Sequence, residues 1–114
     1  MHELAIMESV VEMVVERTAG RRVAVVHVQV GKLSGVVPEA LAFCYELVTA
    51  GTSLDESVLD IDHTDGAGHC RTCGLDFELD QLLLLCPCGS ADVQIVAGRE
   101  LQVTSVEMVV ESCA

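Results

Sequence analysis

Apolar residues recur at helical spacing from Leu4 to Arg17: Leu4, Met7, Val11 and Val14 share one stripe, with Val10 beside it. Glu8, Glu12 and Glu16 fall four apart on another face. Like charges at that spacing oppose an isolated helix, so tertiary packing has to hold this one. The acidic stripe reads first as a solvated face and second as a partner surface. Ala19-Gly20 predicts the helix end, with glycine as the C-cap. Val23 to Val30 then alternates as a half-buried strand, with Val26, Val28 and Val30 on one face and His27 on the other, toward water or the sheet margin.

Gly31-Lys32-Leu33-Ser34-Gly35 predicts a turn or loop, and Pro38 suits the first turn of a second helix running to Ala50. Leu41, Cys44 and Leu47 or Val48 form its expected buried stripe, and Gly51 closes it. Ser57 to His63 reads as another strand, with Leu59 and Ile61 inward between Asp60 and Asp62. Gly66-Ala67-Gly68 reads as a hinge-like break. The final strand spans about Arg99 to Val110, where the apolar parity slips near Thr104-Ser105 and predicts a bulge or bend.

Two βαβ-like connections allow a parallel sheet, but the cysteine segment from Gly68 to about Val96 interrupts the strands as an insertion would. The expected fold is therefore α+β: two helices packed on a small three-stranded sheet, with an inserted zinc-ribbon-like subdomain. Residues 1–65 plus 97–114 would form the discontinuous α+β domain, and residues 66–96 the cysteine subdomain, which is too short for a large core and needs a metal staple.

Composition narrows the setting. Half of the 114 residues are apolar, enough for an ordinary core, yet no apolar run approaches the ~18 residues that cross a membrane. The N-terminus lacks a basic region and is interrupted by Glu8, Glu12 and Glu16, so no signal peptide is expected and the location is cytoplasmic. Thiols stay reduced there, which favours metal ligation over disulfides. The balance of 18 acidic against 6 basic residues repels phosphate backbones, and only Phe43, Tyr45 and Phe77 could stack on bases. Nucleic-acid binding is thus disfavoured, while cations and basic proteins are attracted.

Cys70-Arg71-Thr72-Cys73 is a C-x2-C knuckle, followed after a short loop by Cys86-Pro87-Cys88. Two close pairs at that separation fit tetrahedral thiolate coordination of Zn²⁺, with no position left open for chemistry. The second pair is one residue shorter than the usual knuckle, so the N–H pattern around its sulfurs must differ. His69 is a spare ligand if Cys86 or Cys88 falls short. Cys44 reads as core and Cys113 as a tail thiol.

Met1-His2-Glu3 offers a second, different metal chemistry. The terminal amine, the His2 amide nitrogen and His2 Nδ1 can form adjacent chelate rings, and the Glu3 amide nitrogen completes a planar four-nitrogen set. Such tetragonal geometry suits Ni(II) or Cu(II), with affinity rising with pH because amide nitrogens must lose protons. It requires Met1 to keep a free amine. Alone, a histidine at position 2 is more often a plain surface residue. No nucleophile–base arrangement stands out, His27 and His63 sit at polar strand positions, and no enzyme is expected. A zinc-ribbon interaction module without a nickel role is the competing reading.

Taken in order, the motifs resemble the HypA/HybF family of hydrogenase-maturation nickel metallochaperones. They are Met1-His2-Glu3-Leu4, Val30-Gly31-Lys32-Leu33-Ser34-Gly35-Val36, Pro38-Glu39-Ala40-Leu41-Ala42-Phe43, Gly51-Thr52 and Leu59-Asp60-Ile61. They continue through both cysteine pairs, Gly89-Ser90, Gly98-Arg99-Glu100-Leu101 and Ser105-Val106-Glu107. The resemblance implies a nickel-binding α+β domain with an inserted zinc domain. It also implies delivery of Ni(II) for [NiFe]-hydrogenase, with a nickel-handling maturation GTPase and the hydrogenase large subunit as partners. By the same resemblance His2 is the nickel ligand, Glu3 contributes through its backbone or from beside the metal, and Cys70, Cys73, Cys86 and Cys88 hold zinc.

Overall fold

The computed structural model describes residues 3–80 and 83–110. The chain runs α1 (Glu3–Arg17), β1 (Val23–Gly31), α2 (Pro38–Thr49), β2 (Val58–Thr64), β3 (Gly66–Cys70), β4 (Asp76–Leu79), β5 (Val93–Ala97) and β6 (Leu101–Met108). Two three-stranded sheets result, in the orders β2-β1-β6 and β4-β3-β5. The first is mixed and the second antiparallel. The described residues of Met1–Val28, Val37–Ile61 and Val103–Ala114 form one compact unit, and those of Gln29–Val36 and Asp62–Gln102 form another.

In the first unit, α1 buries Met7, Val11 and Val14 and packs against α2. Leu4, expected on the same stripe, is exposed. The chain turns out of α1 through left-handed backbone at both Ala19 (φ 53) and Gly20 (φ 73), with the Gly20 amide donating to the Val15 carbonyl. Helix α2 corrects the expected stripe: it buries Leu41, Tyr45 and Thr49, while Cys44 and Val48 are half-buried and Leu47 is exposed. Tyr45 can take an inward position because its hydroxyl meets Ser57 Oγ at 2.5 Å, so the polar tip is not stranded. Thr49 is satisfied on the Tyr45 carbonyl at 2.7 Å.

Along β1, Val26 and Val28 are buried on the predicted face. His27 points to the other face, where Nδ1 meets Asp60 of β2 at 2.7 Å and Nε2 meets Glu107 of β6 at 2.5 Å. Two acceptor-only carboxylates require a proton on each ring nitrogen. The hydrogen bond to Glu107, then that to Asp60, hold the His27 pKa above its ordinary value. The charged ring thereby links all three strands. Strand β6 shows the expected parity slip: Val103 is half-buried, Thr104 and Ser105 are both exposed, and Val106 and Met108 are again half-buried.

In the second unit, Gly66-Ala67-Gly68 is not a hinge but the start of the central strand β3, with a register irregularity against β5 between Ala67 and Gly68. Its glycines answer to crowding. A Cβ at Gly66 would lie 2.3 Å from the Leu79 carbonyl oxygen, and one at Gly98 would lie 2.6 Å from the Gly66 Cα. The Gly31–Gly35 segment is a turn, yet Leu33 within it is buried in the same cluster as Cys70, Leu79, Cys86 and Val93. The Leu33 amide donates to the Gly98 carbonyl at 2.7 Å, and the Glu100 carboxylate accepts from the Gly98 amide and from Thr64 Oγ1. Those donors, the Gly98 amide first, hold the Glu100 carboxyl below its ordinary range.

Candidate metal centre

Cys70 ends the central strand β3, and the turn that follows returns Cys73 to its side. Within this first knuckle the Cys70 amide donates to Leu75 O at 2.9 Å and the Gly74 amide to Cys70 O at 2.9 Å. The Cys73 amide points at Cys70 Sγ, 3.4 Å away. The second knuckle repeats this scheme one residue early. The Cys86 amide donates to Ser90 O at 2.9 Å and the Gly89 amide to Cys86 O at 2.8 Å. Here it is the Cys88 amide that points at Cys86 Sγ, again at 3.4 Å. Gly74 (φ 80) and Gly89 (φ 95) take the left-handed turn residue in each. The C-x-C spacing is thus a shortened knuckle that still aims both sulfurs the same way.

All four sulfurs lie within 4.8 Å of one another. Cys70 Sγ is 3.8 Å from Cys88 Sγ, and Cys73 Sγ is 3.6 Å from Cys86 Sγ. A tetrahedral ion with Zn–S bonds of ~2.3 Å sets its sulfurs ~3.8 Å apart, so the arrangement fits a tetrathiolate metal without rearrangement. Cys70 and Cys86 are buried, whereas Cys73 and Cys88 face outward. His69 is not part of the cluster: its Nδ1 lies 2.7 Å from Asp76 Oδ1. Two contacts tie the knuckles together that nothing in the cysteine spacing foretold: Thr72 Oγ1 meets Ser90 Oγ at 2.8 Å, and the Arg71 guanidinium donates to Asp92 at 2.9 Å. The only sequence signal was a polar residue beside each cysteine pair.

The thiols are electrostatically unequal. The Cys73 amide, despite burial, lowers Cys70 to about 6. At Cys86 the Cys88 amide also lowers the pKa, but burial and the neighbouring sulfurs outweigh it and raise the thiol to about 12. Like charges crowded at one point cannot all ionise unaided, which is the condition a bound dication relieves. Four thiolates would close the coordination shell of a tetrahedral ion and leave no open ligand position.

His2 lies outside the described residues, as does Cys113. Glu3 is the first residue of α1 and the acidic residue of its first turn. Cys44 is half-buried on α2, well apart in sequence from the four clustered cysteines. His63 is exposed on β2. Among the described residues the four cysteines are the one set of three or more candidate ligands gathered at a point. No described helix is long and apolar enough to cross a membrane.

Residues 1–108 match the family described as "Hydrogenase/urease nickel incorporation, metallochaperone, hypA". The hydrogenase maturation factor HypA of Geobacter sulfurreducens is 43% identical over 109 residues, covering 95% of this chain and 99% of the relative. That of Nostoc punctiforme is 37% identical over 108 residues, covering 95% and 96%. Among solved structures, the nickel metallochaperone from Helicobacter pylori superposes with a TM-score of 0.64 at 24% identity, covering 97% of this chain and all of that one. A second solution structure of a HypA protein gives 0.68 at 24% identity, covering 97% and 98%. At that identity these two likenesses speak to the fold.

Proposed function

The chain belongs to the HypA family of nickel metallochaperones that serve hydrogenase maturation, and we propose that it carries Ni(II) at its N-terminus while the four cysteines hold a structural zinc. The observation that carries this division is the closed tetrathiolate centre, with all four sulfurs within 4.8 Å. Cargo has to leave, and a closed thiolate shell exchanges slowly. The transported nickel therefore needs a different, open site. Met1-His2-Glu3 supplies one: an α-amine, the His2 amide nitrogen and His2 Nδ1, with the Glu3 amide as the fourth nitrogen of a tetragonal set. Glu3 acts through its backbone, or its carboxylate acts from beside the metal.

Zinc is the ion that soft thiolates in tetrahedral geometry favour in a reducing cytoplasm, and it supplies folding energy rather than chemistry. The strands and knuckles described above then serve as a clamp that stays shut while nickel comes and goes. Residues 66–96 would be the zinc-dependent part, and residues 1–65 with 97–114 the nickel-dependent part. Delivery to the large subunit of a [NiFe]-hydrogenase, with a nickel-handling GTPase as intermediary, follows from the family.

His2→Ala tests the assignment. Nickel binding should be lost, at least a hundredfold in affinity, with one zinc per chain and an unchanged circular dichroism spectrum. Unchanged nickel affinity in His2→Ala would remove the N-terminal site from consideration.

A further inference from the structure

Helix α2 buries Leu41, Tyr45 and Thr49 along one side. On the opposite side Phe43 and Leu47 stand one turn apart, 64% and 58% exposed. The helix cannot rotate to hide them without exposing Leu41, which is fully buried, and breaking the Tyr45–Ser57 contact. A phenylalanine and a leucine at i and i+4 on an exposed face are the type of anchor pair that a partner helix covers. Glu39 and Glu46 flank the pair on the same exposed side, and among the described residues neither forms an ion pair.

We propose that this outward face of α2 docks a cationic amphipathic helix of a partner protein, with Phe43 and Leu47 as the apolar anchors and Glu39 and Glu46 as the charged rim. Charge selects this occupant. The chain carries a net charge of −12, so a second copy would bring Glu39 and Glu46 against a like-charged surface. A helix whose apolar stripe is bordered by Lys or Arg meets both features at once. Glu8, Glu12 and Glu16 of α1, which packs against α2 and whose three carboxylates form no ion pair among the described residues, extend the field that draws it in. The surface is independent of the nickel assignment, because none of its residues belongs to either metal site.

The test uses zinc-loaded, nickel-free full-length protein, so that its failure says nothing about nickel. The chain has no tryptophan, and Phe43→Trp places a single fluorescent reporter on the face. It is titrated with a Leu/Lys peptide patterned as an amphipathic helix, and with a scrambled peptide of the same composition that has no helical stripe. The expected result is a saturable blue shift with the patterned peptide and at least tenfold weaker binding of the scrambled one. In anisotropy with labelled peptide, Phe43→Ser/Leu47→Ser should weaken binding of the patterned peptide at least tenfold, with zinc content and helicity unchanged. Glu39→Gln/Glu46→Gln should weaken it severalfold and flatten its salt dependence. Equal binding of the two peptides, or undiminished binding by the serine pair, overturns the proposal. So does dimerisation of the wild-type chain in sedimentation that the serine pair abolishes, since the occupant would then be a second copy.

Discussion

In the helical unit the buried hydrophobic side chains are Met7, Val11, Val14, Val23, Val26, Val28, Leu41, Tyr45 and Leu54, drawn from both helices, a strand and a loop. In the cysteine unit the buried cluster is Leu33, Leu79 and Val93 with Cys70 and Cys86, and Leu75, Leu83, Leu85 and Val96 remain exposed. One unit closes an apolar core with hydrocarbon. The other reaches closure only by giving core positions to sulfur ligands. Small elements that cannot bury enough hydrocarbon depend on such staples. The difference matters for the proposed carrier role: a stapled unit suits an ion that stays, and the proposed N-terminal nickel site suits one that exchanges.

Metal removal should expose that contrast most strongly. Stripping the tetrathiolate ion with a strong chelator should cost the cysteine unit on the order of 10 kcal/mol. Amide-exchange protection across β3, β4 and β5 should collapse while that of α1 and α2 persists. Simultaneous loss in both units would erase the distinction. Cys73→Ala should act in the same direction. Met7→Ala should do the converse, destabilising the helical unit by about 2–5 kcal/mol through a core cavity, with zinc stoichiometry unchanged. Chemical denaturation with metal analysis reads both.

Gly31→Ala probes the backbone packing of the cysteine unit without touching a ligand. Its Cβ would fall 1.9 Å from the Gly98 carbonyl oxygen, and we expect a loss of about 3 kcal/mol in stability by denaturant titration. The smallest effect concerns His27. Its folded-state pKa is raised by Glu107 and Asp60, so its contribution is fully present below the unfolded value near 6.5 and fades as pH rises through the folded pKa. An NMR titration of the imidazole should give a midpoint above 6.5, and His27→Gln should abolish that part of the pH dependence in the helical unit.

Helix α1 and strand β1 from Val26 onward were legible because burial keeps one period along each, and the slip in β6 because its apolar residues change parity in the sequence itself. The stripe of α2 was not. Its apolar residues wrap around the helix, and the inward places go to Tyr45 and Thr49, whose polar atoms find partners visible only in three dimensions. Strand β3 was hidden for a related reason: glycine normally weakens a strand, but here Leu33, Leu79 and the Gly98 backbone leave no room for a Cβ. The clustering of the four cysteines was legible from their spacing, and the short second pair announced the shifted amide pattern. The exclusion of His69 was not legible, because it depends on β3 pairing with β4 to set His69 opposite Asp76. The two carboxylates on His27 likewise depend on strand order, which no local pattern encodes.

In the proposed division, one chain keeps a permanent ion on sulfur and a transferable one on terminal nitrogen. Calorimetric nickel titration with metal analysis tests it most directly, comparing protein that retains its free Met1 amine with the same protein carrying a short N-terminal extension. One zinc per chain is expected in both forms, and nickel binding only with the free amine. Equal nickel binding by the two forms would contradict it and move the cargo site to internal histidine or cysteine. Absence of nickel binding in both would contradict it as well and leave the cysteine unit as an interaction module.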